Sequence, residues 1–132
     1  VEGLTNNQNQ YIMKKFFLTL LMLISFNSYA QEVSCDDLLD FIKAKGSYVS
    51  GLSNYIMNSS WLYEVTAYRY DSKYFVVAKI KENEYSYTTK SYIFCGIPYM
   101  NWSNFYYGGY GDSKSYGERF HKYIIDYTCN CY

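Results

Sequence analysis

The sequence predicts an α+β domain: an N-terminal helix, a three-stranded antiparallel meander, and two C-terminal helices packed on the sheet. Three observations carry this reading. Apolar residues recur at helical spacing just after Ser34, alternate with polar ones from Trp61, and return to helical spacing after Pro98.

Ahead of that pattern stand Met13-Lys14-Lys15, an apolar run from Phe16 to Phe26, and Ser28-Tyr29-Ala30 before Gln31. A cationic start, a short apolar core and a small-residue cleavage site, in that order, define a secretory signal peptide. The run falls well short of the roughly 20 residues that span a bilayer. We therefore expect residues 13–30 to be a signal peptide cut after Ala30, with residues 1–12 an upstream segment outside the fold. The expected address is secreted or periplasmic, with no membrane association after cleavage. The first cysteine, Cys35, does not follow the cleavage site directly, which opposes a lipid anchor.

Removing 30 of the 132 residues leaves 102, enough for one modest core. Lys14, Lys15 and Glu2 leave with them, so 10 basic and 11 acidic residues remain, a net charge of −1. Such a chain lacks the long-range field that gathers polyphosphate, and nothing points to general nucleic-acid binding. Seventeen of the 19 tyrosines stay in the mature part, side chains that suit half-buried sheets and binding faces alike.

Ser34-Cys35-Asp36-Asp37 opens the first helix, over residues 35–45: Ser34 can cap a free N–H, and the two carboxylates favour the positive helix end. Leu38, Leu39, Phe41 and Ile42 form its apolar stripe, and Lys43, Lys45 and Gly46 end it. Residues 47–59, rich in Ser, Asn and Gly, read as a connection holding a short helical turn or an edge segment. Trp61 to Tyr70 alternates as a strand, Asp71-Ser72 turns the chain, and Tyr74 to Lys81 returns it. After Glu82-Asn83-Glu84, Tyr85 to Ile97 reads as the third strand, interrupted near Thr88 to Lys90. Pro98 suits a first helical turn, and Met100, Trp102, Phe105 and Tyr106 follow at helical spacing. Gly108-Gly109-Tyr110-Gly111 breaks the pattern before a last helix from Lys114 to Tyr127.

The stretch Tyr92-Ile93-Phe94-Cys95-Gly96-Ile97-Pro98, then Trp102 and Phe105, then Ser115-Tyr116-Gly117 and Phe120 to Ile124, resembles the KTSC domain. That small domain is known at the C-terminus of some lysyl-tRNA synthetases and as a stand-alone bacterial or phage protein. The resemblance places a KTSC-like α+β domain at residues 60–132, behind a helix and connection at 31–59. It departs from the family pattern at Phe94, where the second Tyr of Tyr-x-Tyr would stand, and at Ile97 before Pro98. The signal peptide and the cysteines are further departures. The resemblance implies RNA binding as an alternative function and brings no catalytic residues.

Four cysteines, Cys35, Cys95, Cys129 and Cys131, in a small exported domain favour disulfides over metal or redox chemistry. Cys129 and Cys131 are too close to pair with each other comfortably, and both cross-pairings with Cys35 and Cys95 fit. Zinc sites want two tight cysteine pairs, and only one is present. Asp36, Asp37 and Asp40 read as helix-end charges rather than a cation site.

His121 is the only histidine. A hydrolase reading would pair it with Cys95 or a serine, oriented by Asp126 or Glu118, and no spacing supports that. Tyr106-Tyr107-Gly108-Gly109-Tyr110-Gly111-Asp112 is the most ligand-like loop: glycines admit close approach and tyrosines offer stacking faces. Asp112-Ser113-Lys114 lacks the continuation of a phosphate-binding loop. The expected function is a disulfide-stabilised binding module without cofactor or metal. It would take a protein, peptide or glycan at Trp102, Tyr106, Tyr107, Tyr110 and Asp112.

Overall fold

The computed structural model describes residues 8–16 and 32–132. The chain divides into two units, Val1–Gln31 and Glu32–Tyr132. In the first, residues 8–16 form helix α1. From residue 17 on, the expected signal peptide and its cleavage point lie outside the described residues, as do residues 1–7. No described helix is long and apolar enough to cross a membrane.

The second unit begins as its sequence dictates. Ser34 accepts the Asp37 N–H at 3.1 Å, and α2 (Cys35–Lys45) carries Asp36 and Asp37 in its first turn and Lys43 and Lys45 in its last. Gly46 caps its end in an extended conformation, and the position takes glycine because a Cβ there would lie 2.6 Å from the Ile42 carbonyl oxygen and 3.1 Å from Tyr68 Cβ.

The chain then enters β1 (Ser47–Ser53) and a one-turn helix, α3 (Asn54–Met57), closed by Asn58 at a left-handed φ of 46°. A hairpin follows, β2 (Leu62–Tyr70) and β3 (Lys73–Lys81), its turn made by Asp71 and Ser72 at φ 48° and 59°. The fourth strand, β4 (Thr89–Cys95), completes an antiparallel sheet in the order β1-β2-β3-β4. Helices α4 (Tyr99–Tyr107) and α5 (Tyr116–Tyr123) end the fold.

The expected three-stranded meander with two C-terminal helices is therefore corrected. The sheet has four strands, and five helices are described. The extra strand, β1, lies at the sheet edge in the connection where an edge segment or a short helical turn was expected, and both form. Its strand pattern is weak because a register shift between Tyr48 and Ser50 breaks the period of two and Gly51, opposite Thr66, has no side chain to alternate. The third expected strand is shorter than Tyr85 to Ile97. Tyr85 and Tyr87 are 89% and 99% exposed in a loop, where Thr88 Oγ1 donates to Glu82 Oε2 and the Tyr85 N–H to Asn83 Oδ1. Helix α5 stops at Tyr123 rather than Tyr127, which frees the chain to run along β4. There the Cys95 N–H donates to the Tyr127 carbonyl at 2.9 Å, and Phe94 pairs with Thr128.

The sheet is covered on both faces, by α2 as well as by the C-terminal helices. Val65, Ala67, Val76, Ala78 and Phe94 meet Trp102, Phe105, Phe120 and Ile124 of the C-terminal segment. On the opposite face Val77 and Ile93 meet Leu39 and Ile42 of α2. Alternate residues of β3 and β4 thus bury toward different helices, which is why residues 74–78 and 92–95 are unbroken apolar stretches. Pro98, at the N-cap of α4, accepts from the Trp102 N–H at 3.2 Å and turns the chain back over the first face.

Candidate functional site

The loop between α4 and α5 is held by one carboxylate. Helix α5 begins at Ser115, whose hydroxyl accepts the Glu118 N–H at 3.3 Å. Starting the helix there puts Arg119, Lys122 and Tyr123, three and four residues apart, on one side of it. Lys122 and Tyr123 reach the preceding loop and meet Asp112. Tyr123 OH donates to Asp112 Oδ2 at 2.5 Å, the Gly109 N–H donates to the same oxygen at 2.7 Å, and Lys122 Nζ pairs with Oδ1.

With these donors around it, the Asp112 side chain is only 2% exposed. Its pKa is lowered to about 2, chiefly by the hydrogen bond from Lys122, then by those from Tyr123 and the Gly109 backbone. The same contacts, Asp112 first, raise the pKa of Lys122. A Cβ on Gly109 would stand 2.7 Å from Asp112 Oδ2 and 2.9 Å from Tyr123 OH, so this closure requires glycine. Asn101 of α4 adds a strut, its side-chain amide donating to the Tyr123 carbonyl at 3.0 Å and to Tyr127 OH at 3.2 Å.

On this pinned loop the nominated residues separate. Tyr107 is 78% exposed and Tyr110 fully so. Tyr106 is half-buried, its ring 4.8 Å from that of Tyr107 and 5.8 Å from that of Trp102. Trp102 lies in the core, with its indole N–H donating to Ser50 Oγ at 3.0 Å, so it supports the face from beneath. Asp112 acts on the loop itself. Arg119, Lys122 and Tyr123 had no place in the sequence reading of the site. Their signal was the Ser115 cap, which sets the phase of α5.

The cysteines pair as Cys35–Cys131 and Cys95–Cys129. The first ties the start of α2 to the chain's last residues, where the Cys35 N–H also donates to the Tyr132 carbonyl at 2.9 Å. The second fastens the segment after α5 to the end of β4. With both sulfurs of the second pair in a bridge, Cys95 offers no thiolate, which removes the Cys95–His121 hydrolase arrangement. His121 is exposed, its ring 5.3 Å from that of Trp61. Among the described residues no group of three or more His, Cys, Asp or Glu side chains is placed to hold a metal ion.

The segment Tyr92 to Pro98, which carries the KTSC resemblance, forms the end of β4 and the turn into α4. Comparison of the chain with protein-family models, characterised proteins and solved structures finds no match. The findings establish a small α+β unit with two disulfides, rich in tyrosine.

Proposed function

We propose that this chain is a small exported binding module that holds a protein, peptide or glycan against Tyr107 and Tyr110. The supporting observation is the pairing of two exposed rings with a loop whose backbone is tied to Asp112. A tyrosine presents a flat apolar body and a hydroxyl at small entropic cost, and a loop already ordered loses little freedom on binding. Two disulfides fit an oxidising compartment, and the signal-like segment Met13 to Ala30 supports export. Kinship with KTSC domains is part of the proposal for residues 60–132 and names no ligand.

The test presents the immobilised, oxidised chain with envelope extracts and a glycan panel. The double variant Tyr107→Ala/Tyr110→Ala serves as comparison. Specific retention by the wild type, reduced at least about tenfold in the variant as expected for aromatic hot spots, supports the reading. Equal retention by both, or none by either, overturns it.

A further inference from the structure

Arg119 is buried, 7% exposed, and unlike the Asp112 carboxylate beside it has no charged partner. A buried guanidinium is costly to desolvate, by several kcal/mol as a rule, unless a counter-charge and hydrogen bonds compensate. Here they do not. No described residue forms a hydrogen bond or ion pair with it, and its Nε is buried without a partner. The face of Tyr116, 4.1 Å from Cζ, offsets only part of that cost. The neighbouring acids are not available. Asp112 is fully engaged by Lys122, Tyr123 and Gly109, and Glu118, next in sequence, is exposed at the rim of the same recess and forms no ion pair with the guanidinium.

The surroundings are shaped around this cation. A Cβ on Gly108 would fall 2.8 Å from Nη1, so the backbone approaches the guanidinium as only glycine permits, with Gly108 at a φ of 84°. Arg119 lines a recess with Gly111, Asp112, Ser113, Glu118 and Lys122, beside the positive end of the eight-residue helix α5. The recess measures about 180 Å³, below the roughly 300 Å³ where pockets for whole small molecules begin, so it takes a single group.

We propose that this recess is an oxyanion subsite, in which the Arg119 guanidinium receives a carboxylate or phosphate group of the ligand. Arginine is suited to the role because its planar fork matches both groups. The inference rests on reading the α4–α5 loop as a contact surface and adds the chemistry of the ligand: an acidic group in the recess, with its remaining surface against Tyr107 and Tyr110.

The full oxidised chain is titrated with sodium phosphate and with sodium acetate, against sodium chloride at equal ionic strength. Thermal unfolding and the Nε–H resonance of Arg119 are followed. A saturable shift of that resonance, with a melting temperature that rises in phosphate or acetate but not in chloride, is expected. Arg119→Lys keeps the charge and loses the fork, and should weaken the response at least about tenfold, the worth of one charge-assisted hydrogen bond. Lys90→Ala, remote on β4, should leave it intact. An unmoved Arg119 resonance in the wild type, or an equal response in Arg119→Lys, overturns the subsite, and the wild-type titration decides even where the variant fails to fold. Tyrosine-dependent ligand capture without an anion response sinks the subsite alone. An anion response without such capture sinks the aromatic contact surface alone.

Discussion

The phenol of Tyr123 donates to Asp112 Oδ2 at 2.5 Å, joining the last turn of α5 to the loop that precedes the same helix. This contact closes the segment on itself, so the exposed rings of Tyr107 and Tyr110 stand on a braced backbone.

The brace titrates. Asp112 has a folded-state pKa of about 2 against an ordinary value of 3.8, so the unfolded chain takes up the proton first as pH falls. Its stabilisation is complete above the unfolded value and is lost between about pH 4 and pH 2. Asp112→Asn removes the charge and leaves an amide facing three donors. The variant should therefore melt lower than the wild type at pH 7, with the gap narrowing below pH 4 and closing near pH 2. Parallel melting curves across that range check this. A gap independent of pH would mean that Asp112 acts by shape and not by charge.

The two disulfides should differ in worth. They close loops of 96 and 34 residues, which the chain-entropy relation converts to about 4.7 and about 3.8 kcal/mol. Either figure is a large share of the roughly 5–15 kcal/mol that holds a domain folded. Cys35→Ser/Cys131→Ser should lower the denaturation midpoint more than Cys95→Ser/Cys129→Ser. The opposite ranking would show that the pairing of Phe94 with Thr128 matters more than loop length.

The helices were legible where local chemistry decides them. Ser34 caps, Pro98 starts a turn, and Gly46 stops one, all through contacts within a few residues, whereas the Ser115 cap went unrecognised and the last helix was expected from Lys114 to Tyr127. The hairpin was legible for the same reason, since Asp71 and Ser72 tolerate positive φ. β1 was legible only as an edge segment or a helical turn, because its strand character comes from pairing with β2, from Ser47 opposite Arg69 to Ser53 opposite Glu64. Both disulfide partners of the tail were open for a like reason: only the sheet brings Cys95 beside Cys129. In the candidate site, Tyr107, Tyr110 and Asp112 were nominated as contacts from a glycine-rich loop, and Asp112 instead braces that loop. Arg119 could not be read, because burial of a cation on an otherwise polar helix face is a tertiary fact.

The aromatic core over the sheet centres on Phe120. Fully buried, it meets the rings of Trp61, Phe94 and Phe105 at centroid distances of 5.6, 5.3 and 5.7 Å, all near edge-to-face. Those rings come from β4, α4 and the residue before β2, so truncation there opens a cavity that no one element can close. Phe120→Ala should cost about 3–5 kcal/mol in equilibrium unfolding. A loss under about 1 kcal/mol would mean that the neighbouring rings collapse into the space.

Gly117 tests how tightly α5 sits on Trp61. Alanine is the better helix former by about 1 kcal/mol, so propensity alone makes Gly117→Ala stabilising. The packing argues the other way. A Cβ at Gly117 would fall 2.6 Å from Trp61 Nε1 and 3.3 Å from Cε2, closer than side chains tolerate. The indole has little room to retreat, being edge-on to Phe120 on one side and against His121 on another. Forcing an extra carbon into such a contact costs about 1–3 kcal/mol, which exceeds the propensity gain. Gly117→Ala should therefore lower stability by about 1 kcal/mol, and Gly117→Ala/Trp61→Phe, which removes the indole nitrogen and its fused ring, should recover much of what the clash costs. The measure is the coupling energy of the double-mutant cycle. Additive effects would show that the helix moves away from Trp61 as a body instead of pressing on it.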